Sequence, residues 1–364
     1  MQPRRVLIHL LSSNRWGGAQ RYALDICTHF KSKGWQVAAM TRDAKVVDMH
    51  FKQAEIPLLH APLRGFFDPA SAVIMAKVLK GTPRDLTVVH VHRYRDAFTV
   101  LLAKRLIGRP DIRIVSTRHT IRHGRNSWLF RRIYDKINAH IFVSKAALER
   151  FSSSWPFRLP MRPETVHTLL NSINIPARKP VAEPTRGPIF AIYTGPVSPG
   201  KGMETLIDAL GNLRDLKLRL RIVGTGNPDY IDSLRRRAMH RGVMEMIDWK
   251  NQPDVSAELL DQSHFAVLPS IEREAFGLAN LHVMAAGRAQ VCTANGAQGE
   301  YLCDGVTALF AKPADAVSLA QAMRKLVEDP ELRKNIGERA YQAYTSSLSW
   351  DTFINKLTEI YTTC

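Results

Sequence analysis

Apolar positions along this chain keep two rhythms. Short, mostly apolar runs, such as Val6–Leu11, Val88–Val91, Ile189–Tyr193 and Phe265–Leu268, suit strands covered on both faces. Between them apolar residues recur every three or four positions. Tyr22, Ile26 and Phe30 after Gly17-Gly18 predict a helix ending near Gly34. In the first half the reading continues with strands Trp35–Thr41, Ile112–Ser116 and Ile141–Val143 and helix Ala97–Ile107. Ser144 is the expected N-cap of a helix from Lys145. The second half repeats the layout. Its strands are Leu218–Val223 and Met246–Trp249, its helices Met203–Leu213, Asp229–Arg241 and Ala257–Leu260, with a terminal helix over Trp350–Tyr361. Strand–helix alternation with short connections predicts an α/β protein with a doubly wound parallel sheet in each half.

A proline-rich stretch with few bulky apolar residues separates the halves. The expected division is a first domain over 1–176, a linker over 177–188, a second domain over 189–346 and a closing helical segment over 347–364. At 364 residues the chain has room for two domains, and 45% apolar with 23% charged residues is a globular composition. The first apolar run is too brief for a signal-peptide core, and no run reaches the ~20 residues that span a bilayer. Cys27, Cys292, Cys303 and Cys364 show no metal-like spacing, which fits a reducing cytoplasm.

Charge divides the chain more sharply than hydropathy does. Residues 1–175 carry 29 Lys and Arg against 11 Asp and Glu, which is the whole +18 excess, and the remainder is balanced. That asymmetry points to a polyanionic partner for the first half, or to a generally basic background. Within it, residues 120–136 interleave Arg122, Arg125, Arg131, Arg132 and Lys136 with Trp128, Phe130 and other apolar residues. Such a segment suits an anionic membrane surface or nucleic acid, or a helix packed by its apolar face.

The most informative stretch is Pro269–Gly287. A strand stops at Pro269-Ser270, the polar residues Glu272, Arg273 and Glu274 follow, and Phe276-Gly277 opens a helical pattern to Ala286. A carboxylate at a strand-to-helix junction, beside free helix N–H groups, suits a ligand with one anionic part and one hydroxyl-bearing part. His282 lies eight residues beyond Glu274, expected on about the same helix face unless it is simply packed. Gly195–Gly202 imitates a phosphate-binding P-loop, but Gly202 stands where Ser or Thr would hold magnesium. Pro196 and Pro199 also remove N–H donors. Gly17-Gly18, preceded by Ser12-Ser13-Asn14, could bring backbone close to a phosphate by adopting positive φ, or form a plain turn. Gly224-Thr225-Gly226-Asn227 is a turn that could approach a nucleotide base.

These segments together resemble the retaining glycosyltransferases of family 4, whose GT-B fold has two Rossmann-like domains facing across a cleft. The family signature is a Glu before Phe-Gly, seven residues, then a second Glu. Here the first is Glu274 and the second is His282. The resemblance implies that Glu274 meets donor sugar hydroxyls and that Lys201 neutralises the donor diphosphate. It gives donor-binding roles to Gly17, Gly18, Gly202, Gly224, Ala275, Phe276, Gly277, Leu278 and His282. His119 is placed with Lys201 and Glu274 in the catalytic group. His92, Arg118 and His119 fall on the acceptor side, near His90, and Glu300 sits in a later Gly-rich loop. Pro196 replaces a second diphosphate-binding Arg, a charge that Arg15 or Arg273 could supply. The terminal helix is expected to cross back to the first domain.

The implied activity is transfer of a hexose-type sugar, with retained configuration, from a UDP-, GDP- or ADP-linked donor. The implied acceptor is a glycan or lipid-linked acceptor of bacterial surface polysaccharide or lipopolysaccharide synthesis. No metal, cofactor or nucleic acid is expected. Peripheral attachment at the cytoplasmic membrane's inner face would use Arg122, Arg125, Trp128, Phe130, Arg131 and Arg132. A non-catalytic nucleotide- or sugar-binding relative, or a nucleic-acid-binding protein, is the alternative.

Overall fold

Parallel pairing dominates because each strand is followed by a crossover helix that returns the chain to the same end of its sheet. The computed structural model describes residues 4–155, 161–175, 179–252 and 255–364. It divides into two units, Met1–Asn174 with Phe353–Cys364, and Ile175–Thr352.

The first unit runs β1 (Arg5–Leu11), α1 (Gly18–Ser32), β2 (Gln36–Thr41), α2 (Lys45–Gln53), β3 (Leu58–His60), α3 (Pro69–Lys80), β4 (Leu86–Val91), α4 (Tyr94–Ile107), β5 (Arg113–Arg118), α5 (Trp128–Asp135), β6 (Ala139–Phe142), α6 (Lys145–Ser152) and β7 (Val166–Thr168). Among the described residues its sheet has the order β3-β2-β1-β4-β5-β6-β7. The order reverses between β1 and β4, and such a switch point opens a crevice at the strands' carboxyl ends. Ser144 caps α6 as expected, its hydroxyl accepting from Ala147 N. Sequence reading passed over α2, β3, α3 and β7. The three-residue β3 and β7 are edge strands, too short to show a pattern.

The second unit runs β8 (Ile189–Thr194), α7 (Met203–Gly211), β9 (Leu218–Val223), α8 (Pro228–His240), β10 (Ile247–Lys250), α9 (Ala257–Asp261), β11 (Phe265–Leu268), α10 (Leu278–Ala285), β12 (Ala289–Thr293), β13 (Leu309–Ala311), α11 (Ala316–Glu328) and α12 (Pro330–Ala343). Its order, β10-β9-β8-β11-β12-β13, repeats the first six strands of the other sheet, with the switch between β8 and β11. Helix α13 (Trp350–Thr363) closes the chain, and from Phe353 onward it belongs to the first unit. There Tyr361 and Phe353 pack on α1 through Phe30 and Tyr22.

The expected linker is partly built into the second unit. Residues 177 and 178 lie outside the described residues, but the stretch after them is clamped. Buried Arg288 donates to the carbonyls of Val181, Leu260 and Asp261. Arg333 forms a two-pronged pair with Glu183, with Nη2–Oε2 at 2.8 Å and Nε–Oε2 at 2.9 Å. Proline content signalled an irregular backbone there, not a loose one.

Candidate active site

Lys201 follows β8 and Glu274 follows β11, so the two strands flanking the second unit's switch point each deliver one charged group to the same place. Lys201 Nζ is ion-paired with Glu274 Oε1, and Ser270 Oγ donates to the same oxygen at 2.6 Å. Both charged side chains keep a minor part of their surface open.

The loops carrying them are joined backbone to backbone. Ile271 N and Glu272 N both donate to Gly200 O, at 2.9 and 3.0 Å. Gly202 has φ +72°, and a Cβ there would lie 2.0 Å from Pro269 O. Only glycine permits both the left-handed backbone and the close approach. From the other side, Thr293 Oγ1 donates to Ser270 O at 2.5 Å and Asn295 Nδ2 to Ile271 O at 2.7 Å. Ala297 N donates to Glu274 O at 2.9 Å. The carboxylate is therefore held before any ligand arrives.

Several donor-side expectations change. Glu274 precedes α10, which starts at Leu278, so helical spacing does not put it on one face with His282. His282 is half-buried within that helix. Phe276 is a core residue, stacked on Tyr301 with centroids 4.8 Å apart. Ala275, Gly277 and Leu278 are half-buried at the helix start, where Gly277 (φ +90°) stands as N-cap with no side-chain cap bond. Gly224 has a packing reason, because a Cβ there would meet Gly195 O at 1.9 Å. Asn227 caps α8, its Oδ1 accepting from Asp229 N at 2.8 Å. Gly17 does not use positive φ. Its φ of 179° is extended backbone, leading to exposed Gly18 at the start of α1. Pro196 O accepts from Tyr193 OH at 2.7 Å. Arg273 is exposed beside Glu274, its Nε donating to Asn295 O at 3.2 Å. Glu300 lies half-buried in the short turn Ala297–Glu300.

The first unit brings together the histidines read from sequence and adds His9. Register explains the grouping, since His9 pairs with His90 across β1 and β4, and His90 with Val115 across β4 and β5. His92 and His119 follow at even spacing, so all project from one face. His9 Nδ1 and His92 Nε2 are hydrogen-bonded at 2.9 Å, as are His92 Nδ1 and His119 Nε2. His90 stacks on His92 and lies tilted against His9, each with ring centroids 4.8 Å apart. It is held by Tyr361 OH at 2.5 Å and Thr117 Oγ1 at 2.7 Å. The sign of His9 in the sequence was a polar residue inside an otherwise apolar strand.

Burial lowers the pKa of His9 to about 3 and of His119 to about 4, with a neighbouring imidazole adding to the shift at His9. His90 and His92 are lowered well below the ordinary value, first by burial, then His90 by His9 and His119 and His92 by His90, His119 and His9. All four are neutral at neutral pH. Desolvation thus takes His119 out of the range in which an exposed imidazole titrates.

Arg118, read as an acceptor-side candidate, is engaged with the loop that follows it. Its Nη2 donates to the carbonyls of Arg122 (2.6 Å) and His123 (3.1 Å), and its guanidinium lies 5.0 Å from the Phe151 ring centre. The membrane-surface reading of Phe130 is corrected, since it is buried against Phe66. Trp128 is 69% exposed with Arg132 over its ring, and Phe67, which sequence reading missed, is 72% exposed. Arg122, Arg125, Arg131 and Arg132 are exposed as expected. No helix among the described residues is long and apolar enough to cross a membrane.

Comparison with known proteins follows the same division. The family model described as Glycosyl transferases group 1 matches residues 176–343, and that described as Glycosyltransferase Family 4 matches residues 16–175. A glycogen synthase of Mycobacterium tuberculosis is 32% identical over 191 residues, 51% of this chain and 45% of that protein. A lipopolysaccharide 1,2-N-acetylglucosaminetransferase of Salmonella typhimurium is 26% identical over 178 residues, 46% of each. The chain thus spans about half the length of the curated relatives it matches. Among solved structures, a glycosyltransferase of Rickettsia africae superposes with a TM-score of 0.84 at 16% identity, covering 98% of both chains. Anabaena HepE, solved with UDP and glucose, superposes at 0.80 and 16% identity, covering 98% of this chain and 99% of that one. At such identity these likenesses speak to the fold alone.

Proposed function

We propose that this chain, which belongs to the group 1 glycosyltransferases of family 4, moves a hexose-type sugar from a nucleotide-sugar to a glycan or glycolipid acceptor. The transfer proceeds with retention of configuration and without a metal. The observation that carries this reading is the Lys201–Glu274 pair at the β8/β11 switch point. A departing nucleoside diphosphate gathers negative charge as the anomeric centre becomes cationic. A preorganised cation and helix N–H groups stabilise that charge. Lys201 and the start of α10 supply them, with Arg273 as the second cation where Pro196 stands. Glu274 accepts from sugar hydroxyls beside the leaving group, and the acceptor lies against the first unit on the side of His92 and His119.

UDP is the first nucleotide to test, because the Anabaena neighbour has been solved with UDP-glucose. Metal independence is part of the proposal, although Asp43, Asp48 and His60 place three potential ligand atoms within 4.8 Å of one another. Exposed Trp128 and Phe67, with the surrounding arginines, suit peripheral contact with an anionic cytoplasmic membrane face and a lipid-linked acceptor of surface-glycan synthesis. Flotation with anionic vesicles at low salt checks this, and equal recovery with neutral vesicles would remove it.

The deciding experiment is a thermal-shift screen with UDP, GDP, ADP and their hexose conjugates, followed by transfer assays in EDTA. One nucleotide should raise the melting temperature, and Lys201→Ala should abolish the rise. Glu274→Gln should keep the fold and lose on the order of 100-fold in transfer. Binding with no product on any acceptor, indifferent to Glu274→Gln, would instead identify a non-catalytic relative. No nucleotide response, with salt-sensitive oligonucleotide binding, would favour nucleic acid.

A further inference from the structure

The hydrogen-bonded row His9–His92–His119 has a direction, and that direction decides what His119 offers a ligand. A neutral imidazole carries one N–H and one bare nitrogen. When three such rings are joined Nδ1 to Nε2, all must donate in the same sense. In one sense His119 donates through Nε2–H to His92 and His92 through Nε2–H to His9, leaving the last proton on His9 Nε2. In the other, His9 donates through Nδ1–H to His92 and His92 through Nδ1–H to His119. The last proton then stands on His119 Nδ1.

The two ends are not equivalent. His9 is fully buried, and its Nε2 is sealed from solvent with no protein partner among the described residues. An N–H sealed there would be an orphaned donor, and orphaned N–H groups are rarer than under-used acceptors. His119 is only half-buried, in contrast to His9, so an N–H at its free edge can meet water or ligand. His90, the fourth ring, is engaged with Tyr361 and Thr117 and does not interrupt the row.

We infer that the sealed end at His9 sets the row's polarity. His119 therefore presents Nδ1–H, a hydrogen-bond donor, toward an oxygen of the bound sugar or phosphate, and His9 and His92 are positioning residues acting through it. The identity of that oxygen rests on the glycosyl-transfer reading, but the tautomer does not. In this arrangement His119 has no bare nitrogen facing a reacting hydroxyl and cannot take its proton.

The test is a long-range proton–nitrogen correlation spectrum of the full chain with nitrogen-15-labelled histidine at pH 7. Resonances are assigned from single His→Gln variants. The expected result is the Nδ1–H form at His9, His92 and His119, against the Nε2–H form that an unconstrained neutral histidine side chain prefers. An Nε2–H signal for His119 in the native protein overturns the inference outright, whether or not any variant folds. His9→Glu places a group that only accepts at the sealed end, so His92 and His119 should switch to Nε2–H. Transfer should fall roughly tenfold. His9→Gln, whose amide can donate, should keep both the Nδ1–H signals and the rate. An unchanged His119 signal in a folded His9→Glu protein would remove His9 from the role. The spectrum needs no turnover, so failure of glycosyl transfer is read separately.

Discussion

The two switch points occupy equivalent places in sheets of the same strand order, yet they are built from opposite materials. Between β8 and β11 the site is a charged pair, Lys201 and Glu274, carried on loops fastened backbone to backbone. Between β1 and β4 it is a group of neutral imidazoles fastened side chain to side chain, with a tyrosine and a threonine. Backbone fastening fixes where a short side chain starts and depends on glycines that no other residue can replace. Side-chain fastening leaves the backbone ordinary, but its strength depends on the protonation state of every ring. One construction is sensitive to sterics and the other to acid.

The largest expected effect breaks the first construction. Gly202→Ala adds a Cβ 2.0 Å from a carbonyl oxygen at φ +72°, so the 199–202 and 269–272 loops must part. A loss of about 2–4 kcal/mol in denaturant unfolding is expected, together with loss of any nucleotide-induced thermal shift. Retention of both would show that the two loops need not touch.

Acid tests the second construction. His9 and His119 have folded pKa values of about 3 and 4, below the unfolded value of 6.5, and His90 and His92 are shifted the same way. The unfolded chain therefore binds more protons below pH 6.5. Stability from these rings is complete above that pH and is lost as pH falls toward 3–4, at about 1.4 kcal/mol per ring per pH unit. Half-buried Asp25 and buried Asp96, raised to about 6 by desolvation, act in the opposite sense between pH 4 and 6 and reduce the slope. Denaturant titrations from pH 7 to 4 should show stability falling. The fall should be shallower in His9→Gln, and equal slopes would mean that His9 does not titrate as described.

The smallest effect sharpens the contrast. Gly17→Ala, at φ 179° with its nearest neighbour 3.6 Å away, should change stability by no more than about 1 kcal/mol. A loss as large as that of Gly202→Ala would mean that the first unit also relies on a glycine-dependent loop.

Much of this was legible before any coordinates. Buried parallel strands read as mostly apolar runs, so β1, β4, β8 and β11 emerge from local pattern alone. Ser144 announced a helix start by its hydroxyl. Edge strands β3 and β7 were not legible, because three residues hold no period. Among site residues, Lys201 and Glu274 stood out by charge at strand-to-helix junctions. His9 did not, since a lone polar residue in an apolar strand says nothing of which neighbour will satisfy it. Phe276 and Phe130 show the converse, because an aromatic residue beside polar ones can face either way until packing chooses.

By itself, then, the sequence determined the alternation of elements, the two halves, the basic bias of one of them and the residue types at each strand end. These depend on neighbours within a few positions, where periodicity, capping and turn chemistry act. Only the tertiary structure decided that Lys201 meets Glu274 across 73 residues, and that His9, His92 and His119 form one row from three strands. Strand order and register make those pairings, and they arise from the simultaneous burial of whole sheet faces rather than from any local run of residues.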